Sequence, residues 1–414
     1  MLAFTFPGQG SQRPGMGRAW LEHPSWEVVE EASAVAGRSV ARLLLDVDQD
    51  ELTLSANAQL ATFVLSLVVL DAIERVGIEP TVCAGHSLGE YTALVASGAL
   101  GFDEGVRLVV ERGEAMHDAA EEHPGTMAAV MGADDDAVDA ACQRAEGEVW
   151  VANYNAPGQT VIAGTFEAVA RASLIAKELG ARKVIAIPVA GAFHTALMAP
   201  ARVWLRKSLS DTPFTEPEIP VVANVDGRPH TTAAEWPGLL SAQLCSPVRW
   251  RQSLETLAGM GATRFVEIGP GGVLTGLARR TVPDALASAV ATPDDLDTLV
   301  NAVAGSETLH SYAAAHQGEH LYTSERVVIS PSAGVFEPVA GLGAPGPGGL
   351  SPQGAGIAAG EGASVAVGDL LGTVGAAEVR TPFAGIIVGF LAHRGERVAA
   401  GEPVAWLRVQ ADGA

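Results

Sequence analysis

Ser87 lies in the run Gly85-His86-Ser87-Leu88-Gly89, with a glycine two residues away on either side. A serine hydroxyl attacks well only when a base takes its proton and donors receive the charge on the attacked carbonyl. The G-x-S-x-G spacing suits that task. At a sharp strand-to-helix turn it presents the hydroxyl clear of the sheet, near the Leu88 amide and the start of the next helix. Side chains at Gly85 and Gly89 would crowd such a turn. A tight turn with an incidental serine shares the pattern, so the partners decide. His86 adjoins Ser87, but neighbours at a sharp elbow point apart. His194 is better placed, after Ala192-Phe193 at the expected opening of a helix running to about residue 210. A histidine there serves equally as a cap or a core residue. No carboxylate stands out to orient it, and a backbone carbonyl can do that job. Arg112, 25 residues past the serine, offers a fork for a substrate carboxylate, or else a solvated helix charge. Gln9, in Pro7-Gly8-Gln9-Gly10, sits in a loop whose glycines let backbone approach a ligand.

The elements that must hold these residues follow from pattern. Residues 2–6 and 81–84 read as short apolar strands, the first leading to Gln9 and the second to the serine. Residues 59–76 predict a helix apolar on most faces, hence buried beside a sheet. Residues 90–100 predict a helix after the serine, and residues 102–120 the helix that carries Arg112. From 127 to 187 the order is strand, helix, strand, strand, helix, strand, the ferredoxin-like arrangement, with the polar run 153–159 in its middle. Residues 221–224 and 264–268 are further strands. The second empties into Gly269-Pro270-Gly271-Gly272, which lacks the G-x-G-x-x-G spacing of a dinucleotide site and reads as a packing turn.

Composition narrows the classes. The 414 residues suit two or three domains, and 48% hydrophobic with 18% charged residues describes a well-filled core. A formal net charge of -22 argues against nucleic acid and anionic membranes as partners. The three scattered cysteines, Cys83, Cys142 and Cys245, fit a reducing, cytoplasmic setting and neither a disulfide framework nor a zinc site. No apolar run is read as reaching membrane-spanning length, and the N-terminus lacks the basic start of a signal peptide. His316 and His320 stand four apart, but Gly318 between them and the lack of a third ligand favour a linker over a metal pair. No metal is expected.

The C-terminal part contains a repeat. Residues 330–335 echo 381–386 at an offset of 51, and 362–374 echo 395–407 at an offset of 33. The 18 residues of difference fall in a Gly/Pro-rich tract at 341–360. Two short-strand units related by a pseudo-twofold predict a small all-β domain.

Residues 6 to about 280 resemble the malonyl-CoA:acyl carrier protein transacylase family, in its free-standing, fatty-acid-synthesis form. The motifs that carry the resemblance occur in order: FPGQGSQ at 6–12, GHSLGEY at 85–91, Arg112, NYNAPGQ at 153–159, AFH at 192–194, QLCSPVRW at 243–250 and EIGPGGVLTGL at 267–277. The resemblance implies Ser87 as nucleophile, His194 as base and the Gln243 main-chain carbonyl as its orienter. It implies Gln9 and Leu88 amides as oxyanion hole, Arg112 as holder of a malonyl carboxylate, and Asn155 as a liner of the cleft. Malonyl-CoA and acyl carrier protein would be the substrates. Phe193, bulky and next to His194, would crowd a branch at the substrate α-carbon. The fold so implied is α/β: a large α/β-hydrolase-like core (1–125 and 189–308) with an inserted ferredoxin-like subdomain (126–188). A linker (309–325) then leads to a small all-β domain (326–414).

That last domain resembles a biotinyl/lipoyl attachment domain. The modified lysine of such domains lies on the hairpin between the copies, here Val374-Gly375-Ala376-Ala377-Glu378, and no lysine follows Lys207 anywhere. Covalent biotin or lipoate is therefore expected to be absent, and the tail to mediate self-association, packing or partner docking. An acidic carrier protein must dock on a local basic patch of this acidic chain; Arg279 and Arg280 are the first candidates, Arg182 and Lys183 the second. Two other readings compete. A serine hydrolase or thioesterase of α/β-hydrolase type shares the elbow but expects an acid between serine and histidine in chain order. A non-catalytic docking subunit would not need Ser87.

Overall fold

The computed structural model describes residues 1–189, 191–304, 323–339, 363–382, 384–392, 395, 397–401 and 403–410. His316, His320 and the tract 341–360 lie outside the described residues, as does the expected linker up to residue 322. The chain divides into two compact units, Met1–Gly305 and Ser306–Ala414.

Ten strands are described in the first unit: β1 (Leu2–Phe6), β2 (Val82–Gly85), β3 (Thr126–Met131), β4 (Val149–Ala156), β5 (Gln159–Gly164), β6 (Lys183–Ile187), β7 (Val221–Val222), β8 (Pro229–His230), β9 (Arg264–Ile268) and β10 (Leu286–Val290). Six form one sheet in the order β10-β9-β1-β2-β7-β8, parallel except for the β7–β8 edge pair. A parallel sheet is buried on both faces, and β1 and β2 read accordingly as continuous apolar runs. Their adjacency decides the site: Phe6 pairs with Gly85, so the Gln9 loop and the Ser87 turn leave the same end of neighbouring strands.

The apolar helix runs Ser55–Arg75, four residues earlier at its start than the pattern predicts. At 21 residues it is long and apolar enough to cross a membrane, which corrects the reading that no run reaches that length. Its most apolar window is 89% buried inside the unit, as a core helix beside a sheet should be. The helix carrying Arg112 spans Phe102–Glu122 and packs along it. The smaller sheet has the order β4-β5-β3-β6, every neighbouring pair antiparallel, with helices Asp135–Arg144 and Phe166–Glu178 and a core of its own.

Three further expected elements differ. The helix expected over 90–100 spans Gly89–Ala96, and Gly98 at φ 72° turns the chain away from it. His194 does not open a helix: it adopts left-handed backbone (φ 63°), a 3₁₀ turn follows over Ala196–Met198, and the α-helix begins at Ala199. Thr195 caps that turn by accepting the Leu197 N–H, which uses the residue after the histidine as the cap. The strand expected over 221–224 stops at Val222, because the Asn224 N–H donates to the Glu90 carboxylate instead of to a ladder partner.

The second unit holds eight described strands: β11 (Thr323–Ile329), β12 (Gly334–Pro338), β13 (Ser364–Val365), β14 (Leu370–Val374), β15 (Ala377–Arg380), β16 (Gly385–Phe390), β17 (Arg397–Val398) and β18 (Pro403–Gln410). They form two sheets, β11-β18-β16-β13 and β15-β14-β12-β17. β11 starts three residues before the expected boundary, since Thr323 pairs with Gln410. The repeat is visible in the pairing. The short strand of each copy pairs with the other copy, β13 on β16 and β17 on β12. Equivalent turns close alike: Gly368 N–H donates to Thr381 O at 2.7 Å and Gly401 N–H to Ser330 O at 2.8 Å. The β14–β15 turn is Gly375-Ala376, with Gly375 at φ 61°.

Candidate active site

Ser87 is one of two described non-glycine residues with positive φ (53°), and His194 is the other. Left-handed backbone at a side-chain-bearing residue costs on the order of 1–3 kcal/mol and persists only where the surroundings over-determine it. The glycines supply part of that. A Cβ on Gly85 would lie 1.8 Å from Gly89 O, and one on Gly89 2.0 Å from Phe6 O, so the turn folds against β1 only with both bare.

The two strained residues meet. Ser87 Oγ lies 2.8 Å from His194 Nε2, and His194 Nδ1 lies 2.8 Å from the Gln243 main-chain oxygen. A carbonyl can only accept, so Nδ1 carries the proton and Nε2 is the free base. The serine hydroxyl therefore donates to Nε2, while its oxygen accepts from Arg112 Nη2 at 3.0 Å. Burial and the nearby Arg112 charge push the His194 pKa down to about 3, which keeps the imidazole neutral and able to take a proton.

Arg112 is 1% exposed, and burial lowers its pKa from the ordinary value. Its Nη2 also donates to Gln243 Oε1 at 2.9 Å and its Nη1 to Gln59 Oε1, and it lies 5.4 Å from the Tyr91 ring centre. Its Nε has no partner, and among the described residues no carboxylate bonds to the guanidinium. Two neutral amides thus aim the fork without cancelling its charge, which suits it to an incoming carboxylate.

A cavity of about 230 Å³ joins these groups, lined among others by Gln9, Ser87, Arg112, Asn155, Phe193 and His194. The Leu88 and Gln9 amide N–H groups donate to no acceptor among the described residues, and they follow the two strand ends that β1–β2 pairing brings together. The Gln9 side chain accepts from Ser55 Oγ at 3.3 Å, and Ser55 accepts from Gln59, so the Gln9 loop is linked to the amide that holds Arg112. Asn155 Oδ1 meets His86 Nε2 at 3.0 Å, which turns His86 toward the smaller sheet and away from Ser87.

Arg279 and Arg280 are exposed and lie apart from these contacts. Arg279 Nη2 donates to Ala287 O at 2.8 Å, and Arg280 holds the Pro157 carbonyl at 2.8 Å and the Gln159 side chain. Sequence reasoning missed Gln59, Glu90, Asn224 and the Gln243 side chain. Gln59 had a signal, a polar residue inside an otherwise apolar helix. Asn224 had none, since its role depends on a strand neighbour 137 residues away in sequence.

A serine, a neutral histidine oriented by a carbonyl, two amides without an acceptor and a buried arginine are together the equipment for forming and resolving a serine ester. Residues 3–311 match the acyl transferase domain family, and the chain belongs to it. The malonyl CoA-acyl carrier protein transacylase of Bacillus subtilis is 40% identical over 304 residues, covering 72% of this chain and 96% of that protein. The acyl carrier protein S-malonyltransferase structure from Vibrio cholerae superposes with a TM-score of 0.70 at 39% identity, covering 72% and 99% of the two chains. A type II PKS acyl-carrier protein in complex with its malonyl-transacylase is similar as well, with TM-score 0.71, 38% identity and coverage of 73% and 99%.

Proposed function

We infer that the enzyme moves a malonyl group from malonyl-CoA to the phosphopantetheine thiol of acyl carrier protein, supplying extender units for fatty-acid or polyketide synthesis. The observation that carries this reading is the single oxygen, Ser87 Oγ, set 2.8 Å from a free histidine base and 3.0 Å from a buried guanidinium whose direct partners are neutral. His194 Nε2 takes the Ser87 proton as Oγ attacks the thioester carbonyl. The Gln9 and Leu88 amides receive the oxyanion, worth about 3–4 kcal/mol for a well-placed donor. Collapse breaks the C–S bond, and His194 returns its proton to the departing CoA sulfur. In the second half the carrier thiol gives its proton to His194, its sulfur attacks the malonyl-Ser87 ester, and Ser87 Oγ leaves with that proton. Throughout, the Gln243 main-chain carbonyl holds the imidazole, and Arg112 pairs with the free carboxylate. Asn155 and Phe193 shape the acyl pocket. The hydrolase alternative expects an acid on His194 Nδ1, where this chain has the Gln243 carbonyl.

In the same reading, residues 1–125 and 189–308 form an α/β-hydrolase-like catalytic body, with the ferredoxin-like insert at 126–188 as the other wall of its cleft. The tail is a lipoyl-like fold without its lysine: the hairpin that would present one is closed by Gly375-Ala376. It serves packing, self-association or docking, and the enzyme works in the cytoplasm. Incubation with radiolabelled malonyl-CoA tests the central reading. Label should bind covalently to wild type and pass to added carrier protein. Ser87→Ala should take up none, and normal labelling of that variant would sink the assignment.

A further inference from the structure

The transfer scheme has no task for Asn224, yet this residue makes more bonds to the elbow than any of the groups assigned to it. It is fully buried, and its carboxamide spans the turn. Oδ1 accepts the Ser87 N–H at 2.7 Å, and Nδ2 donates to Gly85 O at 2.6 Å, one residue to either side of His86. Its own N–H donates to Glu90 Oε1 at 2.7 Å. Glu90 Oε2 accepts from Gln243 Nε2, which also donates to Ser87 O at 2.8 Å. Gln243 in turn is the residue whose main-chain oxygen holds His194.

We propose that Asn224 is a positioning residue: its carboxamide grips the elbow on both sides of His86, holding the strained serine at its amide, while its main-chain N–H, through Glu90 and Gln243, ties the seat of the nucleophile to the carbonyl that orients the base. The proposal rests on the reading of Ser87 as nucleophile. Three features support it. The ring closes on itself, from Ser87 N–H through Asn224, Glu90 and Gln243 back to Ser87 O, so the left-handed residue is held at its own amide and its own carbonyl. All three members are at most 1% exposed, so water does not replace a lost partner. Asn224 also leaves the end of β7, the strand that pairs with β2, which places it beside the turn at no cost in loop ordering.

Chemistry limits the residue type. The site needs an acceptor for Ser87 N–H and a donor for Gly85 O on one short planar group. Asparagine has both, aspartate has the acceptor alone, and alanine has neither. Asn224 touches no reacting atom in the scheme, so its loss should misplace Ser87 without removing a substrate contact.

The test is single-turnover loading of the full-length enzyme with radiolabelled malonyl-CoA, with folding checked by thermal melting. Asn224→Ala should lower the loading rate at saturation by roughly a hundredfold, the cost expected of a small misplacement of reacting groups. Asn224→Asp, which keeps shape and one of the two bonds, should lose roughly tenfold and provides the reading if the alanine variant melts early. Half-saturating malonyl-CoA should move by less than about threefold in both, and the final extent of labelling should match wild type while the rate constant falls, whereas loss of folded protein lowers the extent and leaves the rate constant alone. Two results overturn the clamp: a folded Asn224→Ala enzyme that loads as fast as wild type, or a loss confined to half-saturation. Wild type that takes no label removes the Ser87 reading and the clamp with it, whereas a normally labelling wild type beside an equally fast variant removes the clamp alone.

Discussion

Replacing Arg112 by alanine should change substrate preference more than it changes catalysis. The guanidinium has amide partners at Gln59 and Gln243, a hydroxyl partner at Ser87 and an unpartnered Nε. A malonyl carboxylate entering the cavity completes a buried ion pair. Removing one partner of such a pair costs about 3–5 kcal/mol. At about 1.4 kcal/mol per decade, kcat/KM for malonyl-CoA should fall roughly 10²- to 10⁴-fold. Acetyl-CoA has no carboxylate. It loses only the Arg112 bond to Ser87 Oγ and the packing of the fork, while the two glutamine oxygens become accessible to water through the 230 Å³ cavity. Its kcat/KM should fall on the order of tenfold or less, the worth of one or two ordinary hydrogen bonds. The assay measures acyl-enzyme formation from both labelled thioesters, with transfer to carrier protein as a second readout. The ratio is the observable that matters. If both substrates lost activity by the same factor, Arg112 would be a structural prop for Ser87, and the selectivity argument would be refuted.

Phe193→Ala should narrow the preference for malonyl over methylmalonyl, by up to the ~1–3 kcal/mol that one methyl is worth in a fitted pocket; competition between the two labelled thioesters reads it. Acid should destabilise the fold through His194. Its folded pKa near 3 lies below the ordinary 6.5, so the unfolded chain binds the proton first, and the contribution present above pH 6.5 is lost as pH falls toward 3. Between pH 7 and pH 5 the loss is about 2 kcal/mol. Urea unfolding of His194→Asn at the two pH values should lack that component, and an unchanged slope would place the buried neutral histidine in error. Arg279→Glu should raise the KM for carrier protein and leave malonyl-CoA loading unchanged, with melting checked because Arg279 also holds the Ala287 carbonyl; Arg280→Glu is less clean, because Arg280 holds both the Pro157 carbonyl and the Gln159 side chain. An effect on loading alone would put docking elsewhere.

Sequence alone carried the local chemistry. Gly85-His86-Ser87-Leu88-Gly89 specifies an elbow because backbone close approach forbids side chains at its ends, and the structure puts Gly85 and Gly89 where any Cβ would clash. The apolar run 59–76 read as a buried helix, which the structure places at Ser55–Arg75, and the repeated motif in the tail predicted matching strands, since period and apolarity are local properties of the chain. Histidine placement was half legible: its proximity to Phe193 and the next helix was, its left-handed backbone was not. What only tertiary structure decided is the set of partners that meet from distant parts of the chain. Gln59 and Arg112 meet because their two long helices pack side by side, and Gln243 joins them from the end of a helix 131 residues further on. Asn224 reaches Ser87 because β7 pairs with β2. Glu90 looks like any acidic residue in a helix's first turn until burial raises its pKa to about 7, desolvation outweighing the lowering by two donors, one from Asn224 and one from Gln243. A hydrogen-bond partner more than a hundred residues away leaves no periodic trace in sequence, because nothing in its neighbourhood has to change to accommodate it.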